Sequence, residues 1–181
     1  MTSAYSSDGI RDGFAGTVGE TPLVRIPSLS AATGCTILGK AEHLNPGGSV
    51  KDRAALGMIL AAEREGKLCK GATIVEATSG NTGISLAMIA AVRGYRCVVV
   101  MPEDMSPERR HVLRAYGADI VLTRADDGMA GAVARAAEIL AATPGSWMSR
   151  QFENPANPEA HAASTGEEIL EQAGGEIAAF V

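Results

Sequence analysis

The sequence has few aromatic residues, no dense stripe of basic residues and no long apolar run. Aromatic residues make up 4% of the chain, and its formal net charge is −5. A nucleic-acid partner usually requires basic side chains for the phosphates or aromatic side chains on which bases can stack. No apolar run approaches the roughly 20 residues that a membrane-spanning helix requires. We therefore expect neither a nucleic-acid partner nor a membrane span.

Cysteine is also scarce, because the chain has only Cys35, Cys69 and Cys97, which are far apart. An odd number at such spacing predicts neither a disulfide framework nor a metal-ligand cluster. Residues 1–13 contain no apolar core of the kind that a signal peptide requires. These features favour a cytoplasmic protein that binds no metal.

What the sequence does contain is a regular alternation of strand and helix patterns. Apolar residues make up 46% and charged residues 20% of the chain, which is usual for a globular protein. The pattern predicts strands at 73–77, 96–101, 119–122 and 147–148, and helices at 50–64, 82–93, 107–117 and 128–142. Such alternation indicates the α/β fold class, with a parallel sheet and helices on both of its faces.

The two ends of the chain follow this alternation less closely. Short extended segments are predicted at 23–26 and 36–42, and a helix at 159–172. A loop rich in Asn and Pro follows Gln151 and marks a boundary. The apolar run 177–181 predicts a buried strand. Because such a strand is an unusual place for a protein to finish, we expect the natural chain to continue.

The first chemically distinctive segment is the loop 45–53, NPGGSVKDR, which places Lys51 at the start of a helix. Gly47 and Gly48 allow a ligand to approach the backbone closely. The positive end of a helix favours the neutral form of a nearby amine, which Schiff-base chemistry requires. A solvated lysine beside Asp52 is the alternative. A phosphate-binding P-loop is excluded, because it needs Ser or Thr directly after the lysine.

The second segment is the loop 78–83, TSGNTG, between a predicted strand end and a predicted helix start. Ligands of open α/β sheets bind at this edge. Its hydroxyls, its amide and its free backbone N–H groups suit a small anion such as an amino-acid carboxylate. An ordinary capped turn would explain the same residues equally well. The third segment, QFENPANP at 151–158, by itself predicts only turns.

Taken together and in this order, NPGGSVKDR, TSGNTG and QFENPANP resemble the cysteine synthase (O-acetylserine sulfhydrylase) family of fold-type II pyridoxal-phosphate (PLP) enzymes. The stretches GETPLVRI, MPEDMSPERRHVLRAYGADIVLT and STGEEI support the resemblance, which extends over residues 16–181. It implies a two-domain α/β fold of the tryptophan synthase β type, of which this chain covers roughly the N-terminal half. Three parts follow from it: 1–49, associated with the larger domain; 50–155, the smaller mobile domain; and 156–181, the start of the larger domain.

The resemblance also implies roles for individual residues. Lys51 would hold PLP as a Schiff base and act as the base in proton transfer. Asn81 would hydrogen-bond the phenolic oxygen of the cofactor. The phosphate-binding loop of the family would follow residue 181. The substrate carboxylate would be bound by the second loop and, from the opposite side, by the third, through Thr78, Ser79, Gly80, Thr82 and Gln151.

The implied reaction is that of a cysteine synthase. Sulfide replaces the acetoxy group of O-acetyl-L-serine, by way of a bound α-aminoacrylate, and L-cysteine and acetate are formed. The resemblance further implies a homodimer, and serine acetyltransferase is a partner of many family members. The nearest alternative is cystathionine β-synthase or another β-replacement enzyme of this fold, whereas a serine or threonine dehydratase suits the TSGNTG loop less well. A non-catalytic or truncated relative that only binds a partner is the alternative from another class.

Overall fold

The fold contains a small antiparallel sheet near the N-terminus and a larger parallel sheet. The computed structural model describes residue 11 and residues 13–181. The antiparallel sheet pairs β1 (Leu23–Arg25) with β2 (Leu38–Lys40), and α1 (Pro27–Thr33) connects the two strands. The sequence predicts a longer second strand, over 36–42, but its last residue already belongs to the 3₁₀ turn Glu42–Leu44. The sequence does not predict α1, because this short helix buries no residue and so has no apolar periodicity.

The parallel sheet forms the centre of the molecule and is preceded by a long helix, α2 (Lys51–Arg64). Its strands lie in the order β3 (Thr73–Ala77), β4 (Arg96–Pro102) and β5 (Asp119–Thr123). The connections are α3 (Asn81–Arg93) and α4 (Pro107–Ala115), and α5 (Gly128–Ala142) follows the last strand. These elements confirm the predicted alternation, and the predicted bounds of α5 and β3 agree with the observed ones.

Helices cover both faces of the parallel sheet, as the alternation predicts. One face carries Cys97, Val99 and Met101, which pack into a core shared with α2, α3 and α4. The opposite face carries Val98 and Val100, which pack against small residues of α5. Because successive residues of a strand point to opposite faces, the nearly all-apolar β4 supplies both cores.

The C-terminal part of the described chain is helical over a longer stretch than predicted. The helix begins as α6 (Ala156–Ala160), widens into the π-helical turn His161–Gly166 and ends as α7 (Glu167–Ala173). Helix α6 packs closely on α2, since a Cβ atom at Gly57 would lie 2.5 Å from the Cβ of Ala160. The predicted start at residue 159 is therefore three residues late.

Two predicted strands are absent from the described structure. Residues 147–148 do not form a strand, and Trp147 instead makes a single parallel bridge to Ile74 of β3. The apolar run 177–181 is not a strand either, and Phe180 is 79% exposed. A strand needs a neighbouring strand for its backbone hydrogen bonds, and no strand of the described residues pairs with this run. Among the described helices, none is both long and apolar enough to cross a membrane.

Candidate functional site

The second and third distinctive loops lie next to each other at the carboxyl edge of β3. The loop 78–83 leaves the end of β3 and runs directly into α3. Trp147 pairs with the same strand in parallel, so the chain after it leaves the sheet in the same direction. The two loops meet where the hydroxyl of Thr82 donates a hydrogen bond of 2.7 Å to Oε1 of Gln151. Two predicted carboxylate-binding residues, 69 positions apart, are therefore in direct contact.

Lys51 is the first residue of α2 and follows a tight turn. The backbone N–H of Gly48 donates to the carbonyl of Asn45 at 2.8 Å, and the N–H of Lys51 donates to Oγ of Ser49 at 3.2 Å. The hydroxyl of Ser49 thus supports the first turn of α2, whose N-cap position is Val50. The side chain of Lys51 is half-buried, and within the described part of the chain its amine has no hydrogen-bond or ion-pair partner.

Asp52 fastens the start of α2 to the start of α3. Its carboxylate is fully buried and accepts hydrogen bonds from the N–H of Gly47 at 2.6 Å and from Oγ of Ser85 at 2.5 Å. Oγ of Ser85 also lies 3.0 Å from the carbonyl of Asn81. The turns that carry Lys51 and Asn81 are therefore held side by side by one carboxylate.

Asp52, beside which the alternative interpretation places a solvated lysine, is itself buried and hydrogen-bonded. Burial raises the pKa of the Asp52 carboxyl, while the hydrogen bonds from Ser85 and Gly47 oppose the rise. The contact also explains Gly47, because a Cβ atom there would lie 2.4 Å from the Asp52 carboxylate. Gly47 is therefore required by the buried carboxylate of Asp52 in the first turn of α2.

The remaining predicted residues of the second loop differ in exposure. Thr78 is buried, and its hydroxyl accepts a 3.2 Å hydrogen bond from the N–H of Gly80. Ser79 is half-buried and Asn81 is exposed. The loop thus presents the accessible amide of Asn81 and the partly accessible hydroxyl of Ser79, while Thr78 anchors it. No hydrogen bond joins Lys51 to this loop among the described residues.

Arg109 braces the second loop from outside, which the sequence does not indicate. Its guanidinium donates a hydrogen bond of 2.7 Å to the carbonyl of Ser79. The contact arises because α4 packs beside α3, and no local pattern reports that packing.

A buried glutamate in β3 anchors the third loop, and it too is missed from the sequence. Glu76 is 5% exposed and accepts hydrogen bonds from the N–H of Ser149 at 3.0 Å and from its hydroxyl at 2.5 Å. Burial raises the pKa of Glu76, and hydrogen bonds from Ser149 and from the backbone of Arg150 oppose the rise. The sequence feature that could have identified Glu76 is its charge, because it is the single charged residue within the strand TIVEA.

A buried ion-pair network lies behind the lysine loop. Arg53 is 3% exposed and forms two hydrogen bonds to each of two carboxylates, Glu42 at 2.8 and 2.9 Å and Glu168 at 2.6 and 2.7 Å. Lys40 adds an ion pair of 2.6 Å to Glu168. Burial alone would raise the pKa of Glu168, but the hydrogen bonds from Arg53 and Lys40 lower it to about 2. The network joins α2 to β2 and α7.

His161 is a further residue on the lysine side that the sequence does not single out. It begins the π-helical turn, a form that often occurs at functional sites, and its Nδ1 lies 2.9 Å from Oγ1 of Thr165. Burial lowers the pKa of this half-buried imidazole, and the positive charges of Arg53 and Lys51 lower it further. A neutral imidazole therefore lies within electrostatic range of the Lys51 amine.

The described residues fit one half of a PLP site. A half-buried amine without a partner, at Lys51, can form the carbonyl adduct through which lysines hold this cofactor. The amide of Asn81 is accessible at the neighbouring helix start. A Cβ atom at Gly48 or Gly80 would meet nothing within 4 Å, so the space above both loops is open. No group of His, Cys, Asp or Glu side chains suited to a metal ion occurs among the described residues.

Comparisons with known proteins identify the family of the chain. The family model described as pyridoxal-phosphate dependent enzyme matches residues 14–181. A cysteine synthase of Flavobacterium sp. is 53% identical over 155 residues, which cover 86% of this chain and 50% of the relative. A cysteine synthase of Staphylococcus aureus is 51% identical over 161 residues, covering 89% and 52%.

A solved structure is similar as well. The crystal structure of an O-ureido-L-serine synthase superimposes with a TM-score of 0.88 and 46% sequence identity, covering 93% of this chain and 53% of that one. The chain thus spans about half the length of the relatives that it matches.

Proposed function

The chain belongs to the family of pyridoxal-phosphate dependent enzymes of fold type II, and we propose that the full-length protein is a cysteine synthase. It would replace the acetoxy group of O-acetyl-L-serine with sulfide and release L-cysteine and acetate. Identities of 51–53% to cysteine synthases over most of this chain support the proposal.

The observation that carries the proposal is the contact between Thr82 and Gln151. Both side chains are polar, and Thr82 is almost fully buried beside the loop edge. A hydroxyl and an amide that face each other can both turn their donors toward a carboxylate placed between them. The N-terminus of α3 adds backbone N–H groups, which favour an anion at the same place. An amino-acid substrate would be held there by its carboxylate.

The residues around this site divide the chemistry between them. When bound, PLP supplies an electron sink that stabilises negative charge at the substrate Cα. The amine of Lys51 holds the cofactor, then takes the Cα proton and returns it to Cα at the end. The amide of Asn81 orients the cofactor ring by a hydrogen bond to its oxygen. In the overall exchange, acetate leaves Cβ with the electron pair of its C–O bond, and sulfide donates the pair of the new C–S bond.

A second candidate is the synthesis of O-ureido-L-serine, which the structural similarity to an O-ureido-L-serine synthase favours. That product carries an oxygen on Cβ where cysteine carries sulfur. Addition of hydroxyurea to Cβ through its oxygen would form it. The two candidates share the carboxylate site and the lysine, so those residues cannot separate them. They differ only in the nucleophile that reaches Cβ.

The test is a comparison of nucleophiles with the full-length protein, PLP and O-acetyl-L-serine. Sulfide, hydroxyurea and homocysteine are each titrated, and cysteine, O-ureido-L-serine and cystathionine are quantified by mass spectrometry. We expect kcat/KM to be highest with sulfide. A higher value with hydroxyurea would establish the second candidate, and one with homocysteine would show a cystathionine β-synthase.

We also propose the larger organisation that the resemblance implies. The full-length protein would be a cytoplasmic homodimer that can bind serine acetyltransferase. Residues 50–155 would form the smaller domain, while 1–49 and 156–181 would belong to the larger one. The ion pair between Lys40 and Glu168 supports a common unit for residues 1–49 and 156–181. Light scattering of the purified protein, with and without the acetyltransferase, tests the assembly.

A further inference from the structure

Glu76 occupies a position that usually belongs to an apolar residue. It lies in the central part of β3, is 5% exposed, and forms no ion pair among the described residues. Its carboxylate instead accepts from the N–H and hydroxyl of Ser149, which is 1% exposed, and from the backbone of Arg150. Burying a carboxylate is costly unless several donors surround it. Three donors from one short segment indicate that the carboxylate holds this segment in place.

The segment that Glu76 holds leads directly to the predicted substrate site. Arg150 has a φ of 47°, a left-handed conformation that is strained for a residue with a side chain. A strained residue of this kind keeps its conformation only when its neighbours fix it. Gln151 follows at once and meets Thr82 at 2.7 Å. The direction of the Gln151 side chain thus depends on the anchored turn before it.

The downstream side of the same turn is fixed by two asparagines. Nδ2 of Asn154 donates to the carbonyl of Ser149 at 2.9 Å, and Nδ2 of Asn157 donates to the carbonyl of Gln151 at 2.8 Å. These bonds close the loop on itself but do not attach it to the sheet. Beyond the bridge of Trp147 to β3, which precedes the turn, the attachment of the turn itself to β3 comes from Glu76, two residues before the loop that carries Thr82.

We propose that Glu76 is a positioning residue of the amino-acid substrate site, because it ties the turn of Ser149 and Arg150 to β3 and so holds Gln151 against Thr82. The inference rests on the proposed function, since it deepens the assignment of the Thr82–Gln151 pair to the substrate carboxylate. A carboxylate suits the role because both of its oxygens are acceptors, and Oε2 alone accepts from the N–H and from the hydroxyl of Ser149. A glutamine would replace one of these acceptors with an NH₂ donor.

The experiment uses the full-length holoenzyme and the variants Glu76→Gln, Gln151→Ala and the double variant. Glu76→Gln is expected to raise KM for O-acetyl-L-serine by about tenfold, the effect of one lost hydrogen bond to a charged group, with a smaller change in kcat. The visible absorbance of the bound cofactor stays unchanged. In the Gln151→Ala background, Glu76→Gln is expected to change KM by less than about twofold, since interacting residues are not additive.

Two further variants separate positioning from loss of stability. Glu63→Gln removes another partly buried carboxylate, which pairs with Arg93 and Tyr95 far from the loops, and leaves KM unchanged. Ser149→Ala removes one donor and keeps the backbone N–H, so it raises KM in the same direction by a smaller factor. It serves in place of Glu76→Gln if that variant does not fold.

The proposal is overturned if the KM effects of Glu76→Gln and Gln151→Ala multiply, or if neither Glu76→Gln nor Ser149→Ala changes KM. Hydrogen exchange of residues 149–157 provides a readout that needs no substrate. Glu76→Gln is expected to accelerate exchange there, and unchanged exchange would contradict the anchoring. If the wild-type protein does not turn over O-acetyl-L-serine while exchange is accelerated, the proposed function fails and the anchoring by Glu76 stands.

Discussion

At the scale of single residues, the four lysines of the chain have different surroundings. Lys40 pairs with Glu168 in a buried network, and Lys67 forms an exposed ion pair with Glu65. Lys70 is exposed. Lys51 combines partial burial with an amine that has no partner among the described residues. Because no carboxylate of the described residues holds this amine, it is free to add to a carbonyl, and its surroundings favour Lys51 as the cofactor lysine.

Thr82 offers a test of the carboxylate site at the same scale. Thr82→Val keeps the shape of the side chain and removes the hydroxyl, so one hydrogen bond to the charged carboxylate is lost. That loss is expected to cost on the order of 1.5–3 kcal/mol and thus to raise KM for O-acetyl-L-serine about 10- to 150-fold. The measurement is steady-state kinetics together with the visible spectrum, which is expected to be unchanged.

Thr73→Val is the matched control for Thr82→Val. Thr73 lies at the amino end of β3, opposite to the loops. Its substitution is therefore expected to leave KM for O-acetyl-L-serine unaltered. If Thr82→Val releases the cofactor and leaves KM of the remaining holoenzyme unchanged, Thr82 does not bind the carboxylate.

At the scale of elements, Asp52 connects the start of α2, which carries Lys51, to the start of α3, which carries Asn81. Ser85→Ala removes the hydroxyl that links this carboxylate to α3 and leaves a buried acceptor without one of its donors. The free energy of unfolding is expected to fall by about 1–3 kcal/mol, and the cofactor spectrum to shift as Lys51 and Asn81 lose their fixed relation. Urea unfolding and absorbance measure the two effects. Ser146→Ala, in a loop after α5, is expected to leave the spectrum unchanged.

The network of Arg53 predicts a pH dependence of stability. The pKa of Glu168 is about 2 in the folded protein, below its ordinary value of 4.5. A lowered pKa means that the carboxylate contributes stability above about pH 4.5 and loses this contribution as the pH falls toward 2. Glu168→Gln is expected to be less stable by about 1.5–3 kcal/mol near neutral pH.

Chemical unfolding of Glu168→Gln and wild type between pH 7 and 3 measures this dependence. The difference in stability is expected to be constant down to about pH 5 and to shrink below it. Glu167→Gln, on an exposed neighbouring residue, is expected to show neither effect. A difference that stays constant down to pH 3 would show that the Arg53 network does not lower the pKa of Glu168.

The elements also show which features a sequence can predict. Helix bounds are predicted well where local signals exist, as with Ser106, whose hydroxyl accepts from the N–H of Arg109 at the start of α4. The run 177–181 is mispredicted because apolarity alone does not supply a neighbouring strand. Glu76 and Arg53 escape prediction because Ser149 lies 73 positions from Glu76 and Glu168 lies 115 positions from Arg53. The meeting of Thr82 and Gln151 follows from the resemblance and not from either loop alone.

At the scale of the whole molecule, the chain spans about half the length of the relatives that it matches. The resemblance places the phosphate-binding loop after residue 181. We therefore expect residues 1–181, expressed alone, to bind PLP at least about 100-fold more weakly than the full-length protein, because the doubly charged phosphate lacks its donors. Fluorescence titration with PLP measures both affinities. Equal affinities would show that these 181 residues hold a complete site.

The assignment of Lys51 as the cofactor lysine is the claim on which the whole account depends. The most direct measurement treats the full-length holoprotein with borohydride, which reduces the lysine–cofactor link to a stable amine, and maps the modified peptide by mass spectrometry. The account predicts that the modification lies on Lys51 and is lost in Lys51→Ala together with the visible absorbance. Modification of Lys40, Lys67 or Lys70 in place of Lys51 would contradict it.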